Sequence, residues 1–259
     1  MTTTTTIEWT EQTWNPTVGC TKISPGCKNC YAETMAKRLK AMQTPGYENG
    51  FSLTLLPDRL DDPVKRKKPT VYFVNSMSDL FHDRVPDAFI EKVFDTITRT
   101  PQHTYQILTK RAARMARFFK NRPVPNNAWL GVSVEDRKYG VPRIEHLRKV
   151  PARIRFLSVE PLLSDIGKLD LTAIHWVIVG GESGPKARPM KMEWADSVRQ
   201  QCQEQGVAFF FKQWGGWGAD GKKRAKSANG RELNGRTWDE MPLQPQRADC
   251  NVSLVGAQA

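Results

Sequence analysis

No run of apolar residues in this 259-residue chain comes near the ~18 that a membrane-spanning helix needs. Met1 is followed by five threonines rather than by a basic and then an apolar region. Neither a membrane span nor a secretory leader is therefore expected, and a cytoplasmic setting is. Histidine is scarce too. There are four, with no pair at ligand spacing, which argues against a hydrolase built on a histidine-held metal. No Gly-x-Gly-x-x-Gly opens a strand–helix unit, which disfavours a dinucleotide-binding sheet. Cysteine is sparse, five in all, and in a reducing cytoplasm these are expected as thiols rather than disulfides.

The cysteines that exist are concentrated. Cys20, Cys27 and Cys30 fall within eleven residues, spaced Cys-x6-Cys-x2-Cys. Pro25-Gly26 turns the chain between the first two. Cys30 opens an amphipathic helix, with Tyr31, Met35, Leu39 and Met42 at helical spacing and Thr44-Pro45-Gly46 as its stop. Three thiolates converging from a turn onto a helix start point to a metal or iron–sulfur site. Such a site leaves one coordination position for a ligand that is not protein.

Charge carries the second signal. Lys+Arg number 39 against 27 Asp+Glu, a net +12. Basic residues cluster at 65–68, from Lys110 through Arg122, and at 222–226. That balance points to a polyanionic partner, a nucleic acid or a nucleotide.

From Thr70 onward, β-branched or aromatic runs alternate with amphipathic helices. Strands are expected at 71–74, 105–108, 129–132, 154–157, 176–179 and 208–211, and helices at roughly 86–99, 111–121, 137–149 and 193–205. The crossover at 161–173 reads mostly as loop. Such alternation means right-handed βαβ units and a parallel sheet. Six strands, plus a short one expected at Ile7-Glu8-Trp9, fit a full or partial (β/α) barrel with helices outside. Every strand stops in polar residues, and in parallel barrels the site forms at those ends. Glu135, Glu160 and Glu182, each just past a strand, are expected to share it. Residues 1–6 are expected to be disordered, 7–217 to form the barrel, 218–242 a basic loop or hairpin, and 243–259 a disordered tail.

The cysteine spacing with this alternation resembles the radical S-adenosylmethionine (SAM) superfamily, whose common spacing is Cys-x3-Cys-x2-Cys. The run Thr13-Trp14-Asn15-Pro16 through Cys30-Tyr31-Ala32, with Asn75-Ser76-Met77-Ser78-Asp79, Leu108-Thr109-Lys110-Arg111, Gly180-Gly181-Glu182-Ser183-Gly184 and Lys212-Gln213-Trp214-Gly215, resembles a phage and bacterial three-Cys-motif family. That family is described as radical-SAM-like and akin to spore photoproduct lyase, an enzyme of DNA repair. The resemblance covers residues 7 to about 217. It implies a [4Fe–4S] cluster on Cys20, Cys27 and Cys30, SAM on its free iron, and an external one-electron reductant. It also implies that Ser76, Ser78 and Asp79 meet the SAM amino group, Lys110 its carboxylate, Ser133 and Glu135 its ribose, with Glu160 a further contact. Glu182, Lys212 and Trp214 are placed towards substrate. Trp14 and Trp217 are further candidates for stacking on a base. The lyase uses a cysteine as hydrogen donor. The spare cysteines here are Cys202, on a helix face expected to be core, and Cys250 in the tail. The competing reading is a zinc-stabilised nucleic-acid-binding module, which would need a fourth protein ligand.

Overall fold

The computed structural model describes residues 2–5 and 7–243. Its elements run β1 (Thr2–Thr4), β2 (Gln12–Trp14), β3 (Thr17–Val18), α1 (Tyr31–Ala41), β4 (Thr54–Leu55), β5 (Val71–Val74), α2 (Asp87–Arg99), β6 (Thr104–Thr109), α3 (Ala112–Phe118), β7 (Ala128–Ser133), α4 (Pro142–Arg148), β8 (Ile154–Val159), β9 (Trp176–Gly180), α5 (Met192–Glu204), β10 (Ala208–Gln213) and α6 (Lys226–Asn229).

Eight strands form one sheet in the order β1-β2-β5-β6-β7-β8-β9-β10, and β3 pairs with β4 apart from it. Only β1 runs antiparallel to its neighbour, so seven strands are parallel, from β2 to β10. The sheet is curled into a partial barrel with its helices outside. Alternation along each strand sends Val132, Leu157, Val179 and Phe211 outward to the main core under the helices. It sends Phe73, Trp129, Phe156, Trp176 and Phe210 inward, where with Trp9 they plug the barrel. Trp9 packs edge-on against Phe73 of β5 at 4.9 Å and against Trp176 of β9 at 6.0 Å between ring centroids. Those strands stand four places apart in the sheet, so one indole touches both because the sheet curls.

The expected strands from 71 onward form at their places, and the crossover at 161–173 is a loop. The amino-terminal strand does not fall at Ile7-Glu8-Trp9. It falls at Gln12–Trp14, because Trp9 goes into the barrel plug and the chain turns before pairing with β5. Thr2–Thr4, expected within a disordered stretch, pair with Trp14–Gln12. The tail expected to be disordered lies outside the described residues from 244 on. Among the described residues no helix is long and apolar enough to cross a membrane.

In α1 the apolar spacing misleads about which face is buried. Tyr31, Met35 and Met42 are 58%, 41% and 69% exposed, while Ala32 and Ala36 are buried. The helix packs through these small residues against Val18, Tyr47 and Met77. Small side chains allow close backbone approach, which leaves the larger ones at the rim.

Candidate active site at the barrel mouth

The cysteine loop, residues 20–30, lies at the C-terminal ends of the parallel strands. Gly19 lets the chain enter it. Its φ is +79°, and a Cβ there would stand 2.2 Å from the Ser52 carbonyl oxygen, a conformation and a space open to glycine alone.

Three buried carboxylates, each paired with an arginine, pin this loop at successive points. Asp79, after β5, accepts Arg111 Nη1 at 3.1 Å, Thr109 Oγ1 at 2.7 Å and the Lys110 backbone N–H at 3.1 Å. The same guanidinium reaches Cys20 Sγ at 3.5 Å and donates to the Thr21 carbonyl and hydroxyl at 3.2 and 2.9 Å. Glu135, after β7, accepts Arg143 Nη1 at 2.5 Å and the Ser24 hydroxyl. Gly26 lies flat against it, where a Cβ would come 2.9 Å from Glu135 Cγ. Glu182, after β9, accepts Arg188 Nη2 at 2.6 Å and Asn29 Nδ2 at 3.0 Å, and Arg188 also donates to the Pro25 carbonyl at 3.0 Å.

Charge pairing in a dry setting governs these groups. Burial alone would raise the Glu135 and Glu182 carboxyls. For Glu135 the Lys110 and Arg143 charges and the Ser24 hydrogen bond outweigh it, and for Glu182 the Arg188 and Asn29 hydrogen bonds do. Both are held below the ordinary range. Burial and the Asp79 charge push the Cys20 thiol up, against Arg111.

A second set of polar groups stands at the C-terminal strand ends, lining the mouth without gripping the loop. Lys110 Nζ donates to Ser133 Oγ at 3.0 Å. Lys212 Nζ lies 3.3 Å from Glu160, which also accepts the Ser158 hydroxyl at 3.4 Å. Tyr31 reaches in from α1, its hydroxyl donating to the Ser76 carbonyl. Its ring edge is open, but the protein packed around the hydroxyl, with Cys30 and Glu160 nearby, holds the phenol protonated well above its usual range.

The expected site residues thus divide. Lys110, Ser133, Glu160 and Lys212 line the mouth. Asp79, Glu135 and Glu182, expected to meet SAM or substrate, are taken up by arginines and the loop. Ser76 and Ser78 are spent on Asn15 and Thr17. Trp14 and Trp214, candidates for stacking, are buried in the core and donate their indole N–H groups to the carbonyls of Arg59 and Glu232. Trp217 is half-buried at the rim, its N–H on the Ala187 carbonyl at 2.7 Å. Cys202 is buried in the core as expected, and burial pushes its thiol up to about 12.

Sequence reasoning missed Ser24, Asn29 and Tyr31, and the roles of Arg111, Arg143 and Arg188. One signal was available for the arginines. Arg143 follows Glu135 and Arg188 follows Glu182 within a single strand–helix crossover, a separation that brings both to the same barrel end.

The three loop thiols are free and half-buried. Arg111 stands beside Cys20, and Lys22 lies within electrostatic reach of Cys27 and Cys30. Among the described residues no three His, Cys, Asp or Glu side chains stand close enough to form a ready metal site. His82, bonded to Thr21 of this loop, already uses both nitrogens, Nε2 with Thr21 Oγ1 at 2.9 Å and Nδ1 as acceptor from the Arg84 N–H at 3.1 Å. A groove of about 650 Å³ lined by Phe94, Phe118, Trp129 and Ile154 sits at the opposite end, where these strands begin.

Fold and site together define a class: a parallel α/β partial barrel with a clamped three-cysteine loop over its mouth. The chain belongs to the family described as protein of unknown function (DUF5131), whose model matches residues 4–242. No curated protein matches it. Among solved structures it is similar to spore photoproduct lyase complexed with dinucleoside spore photoproduct, at 12% identity and a TM-score of 0.47. A mutant of that lyase with bound AdoMet and dinucleoside spore photoproduct matches at 13% and 0.47. Each match covers 79% of this chain and 64% of the other, so the chain spans less than two thirds of their length.

Proposed function

We propose that this protein is a radical SAM enzyme acting on nucleic acid or a nucleotide. The observation that carries the reading is the three-thiol loop, fastened across the C-terminal mouth of a parallel barrel above polar side chains that bond one another rather than the loop. The chemistry of the donors fits a [4Fe–4S] cluster: three thiols within one loop, with cations near them. Cys20, Cys27 and Cys30 would hold it, their Sγ atoms swinging together within a loop whose backbone is already fixed. When bound, such a cluster supplies one electron, taken from an external reductant, to cleave SAM and generate a 5′-deoxyadenosyl radical.

The chain's own residues do the rest by binding, orientation and exclusion of water. Lys110 is placed to meet the SAM carboxylate, with Ser133 beside it. Glu160 and Lys212 face the space above, one acceptor and one donor, for a neutral polar substrate edge. The aromatic plug of Trp9, Trp129, Phe156 and Trp176 closes the barrel beneath and keeps water from entering from below.

The test is reductive SAM cleavage by the reconstituted protein under anaerobic conditions. The expected result is 5′-deoxyadenosine, lost in Cys27→Ser and kept in Cys202→Ser. Its absence from wild-type protein that holds a full cluster would overturn the reading.

A further inference from the structure

One side of the mouth has a charge imbalance that the site itself does not use. Three segments meet there. The first is the end of the cysteine loop, whose Asn29 Nδ2 donates to the Lys186 carbonyl at 2.8 Å. The second is the stretch after β9, residues 183–188. The third is the turn at 216–226. It is fastened by Gly216 N–H to the Glu182 carbonyl at 2.8 Å, by Trp217 Nε1 to the Ala187 carbonyl at 2.7 Å, and by Lys223 Nζ to the Pro185 carbonyl.

Each carboxylate on this rim already has its cation. Glu182 is paired with Arg188, Asp220 with Arg224 and Glu8 with Lys226. Exposed ammonium groups are left over. Lys28 and Lys186 have no side-chain partner among the described residues, Lys222 lies within electrostatic reach of Asp220, which Arg224 already pairs, and Lys223 reaches the Pro185 carbonyl and lies 5.8 Å from the Trp217 ring centroid. These cations come from three separate stretches of chain, which the bonds of Asn29 to the Lys186 carbonyl and of Trp217 and Lys223 to the Ala187 and Pro185 carbonyls bring to one side of the mouth.

We infer that this rim is a nucleic-acid track, on which Lys28, Lys186, Lys222 and Lys223 take successive backbone phosphates and lead the strand past the cysteine loop. The inference rests on the nucleic-acid side of the proposed function and narrows it to a polymer rather than a free nucleotide. The favourable step is the release of condensed counterions as ammonium groups replace them, so binding is steep in salt and blind to sequence. An acidic protein would meet the same charges without that dependence on a condensed ion atmosphere.

The experiment is fluorescence anisotropy of the full-length protein with labelled single-stranded and duplex DNA across a salt series. Wild type is expected to bind both without sequence preference. The triple variant Lys28→Gln/Lys186→Gln/Lys222→Gln should flatten the slope of log K against log salt by about 2 on single strands, three contacts at ~0.7 each. A control that removes equal charge elsewhere, Lys92→Gln/Lys149→Gln/Lys168→Gln, at exposed positions outside the basic clusters, should keep the wild-type slope. Three results would each overturn the inference: no binding by wild type at low salt, an unchanged slope in the rim variant, or an equal loss in the control. The assay requires neither iron nor SAM, so its failure is separate from failure of the cluster reading.

Discussion

Carboxylates at strand ends are commonly read as catalytic, and here three of the four, Asp79, Glu135 and Glu182, are buried and paired with arginines. Glu135 has a side chain at 0% exposure against Arg143 at 9%. Breaking such a pair leaves one uncompensated charge in a dry setting, which costs about 3–5 kcal/mol. Arg143→Met should therefore destabilise the protein by roughly that amount in urea unfolding. Arg224→Met, on an exposed pair with Asp220, should leave the urea midpoint essentially where it is. The same groups set a pH dependence. Glu135 and Glu182 have folded-state pKa values below their unfolded ones. Their contribution is complete above the unfolded value, about 4.3, and is lost as pH falls through the folded values. The carboxylates' share of the urea midpoint should be flat from neutrality down to about pH 5 and drop below it, on top of a separate loss that begins under about pH 6.5, where burial opposes protonation of His82 and His175. In the double variant Glu135→Gln/Glu182→Gln, that drop should shrink. At this scale the sequence was half legible. The residue types at the strand ends announced a polar mouth, and spacing brings Arg143 and Arg188 to the same end as Glu135 and Glu182, but which carboxylate each arginine takes up is settled only by the packed side chains.

The cysteine loop behaves as an element although it has almost no regular structure. Its shape comes from side-chain bonds to three different crossovers, with Arg111, Glu135 and Glu182 as fixed points. Gly26→Ala tests this directly. A Cβ would come within 2.9 Å of Glu135 Cγ, and Glu135 is locked by Arg143 and cannot give way. Faster amide hydrogen exchange in the loop is expected, with the barrel strands unaffected. Gly19→Ala should be worse, costing more than about 1 kcal/mol, because it meets both a positive φ and the Ser52 carbonyl. The barrel elements were the most legible part. Strands such as Val71–Val74 and Trp176–Gly180 are short, apolar and bounded by polar residues, which periodicity detects. Less legible was α1, where packing through Ala32, Ala36 and Leu39 leaves Tyr31 and Met35 of the expected stripe exposed, and β2, displaced because Trp9 is claimed by the plug. In both cases tertiary contact decided against the local pattern.

At the scale of the whole molecule, the curled sheet separates a dry end from a polar one. Trp9 ties the curl by touching β5 and β9 together. Trp9→Ala should cost about 3–5 kcal/mol and loosen the barrel below the mouth. The polar end holds everything proposed to react: the thiols, Lys110, Ser133, Glu160 and Lys212, with the surplus cations on one rim. Above all else, the proposed function depends on the three thiols holding one cluster with an iron free for SAM. Anaerobic reconstitution with iron and sulfide, followed by electron paramagnetic resonance of the reduced protein, tests that most directly. The predicted result is a brown protein with a [4Fe–4S]⁺ signal that changes when SAM is added and disappears in Cys20→Ser, Cys27→Ser or Cys30→Ser. A colourless protein that holds one zinc, or a full cluster retained after loss of Cys27, would contradict it.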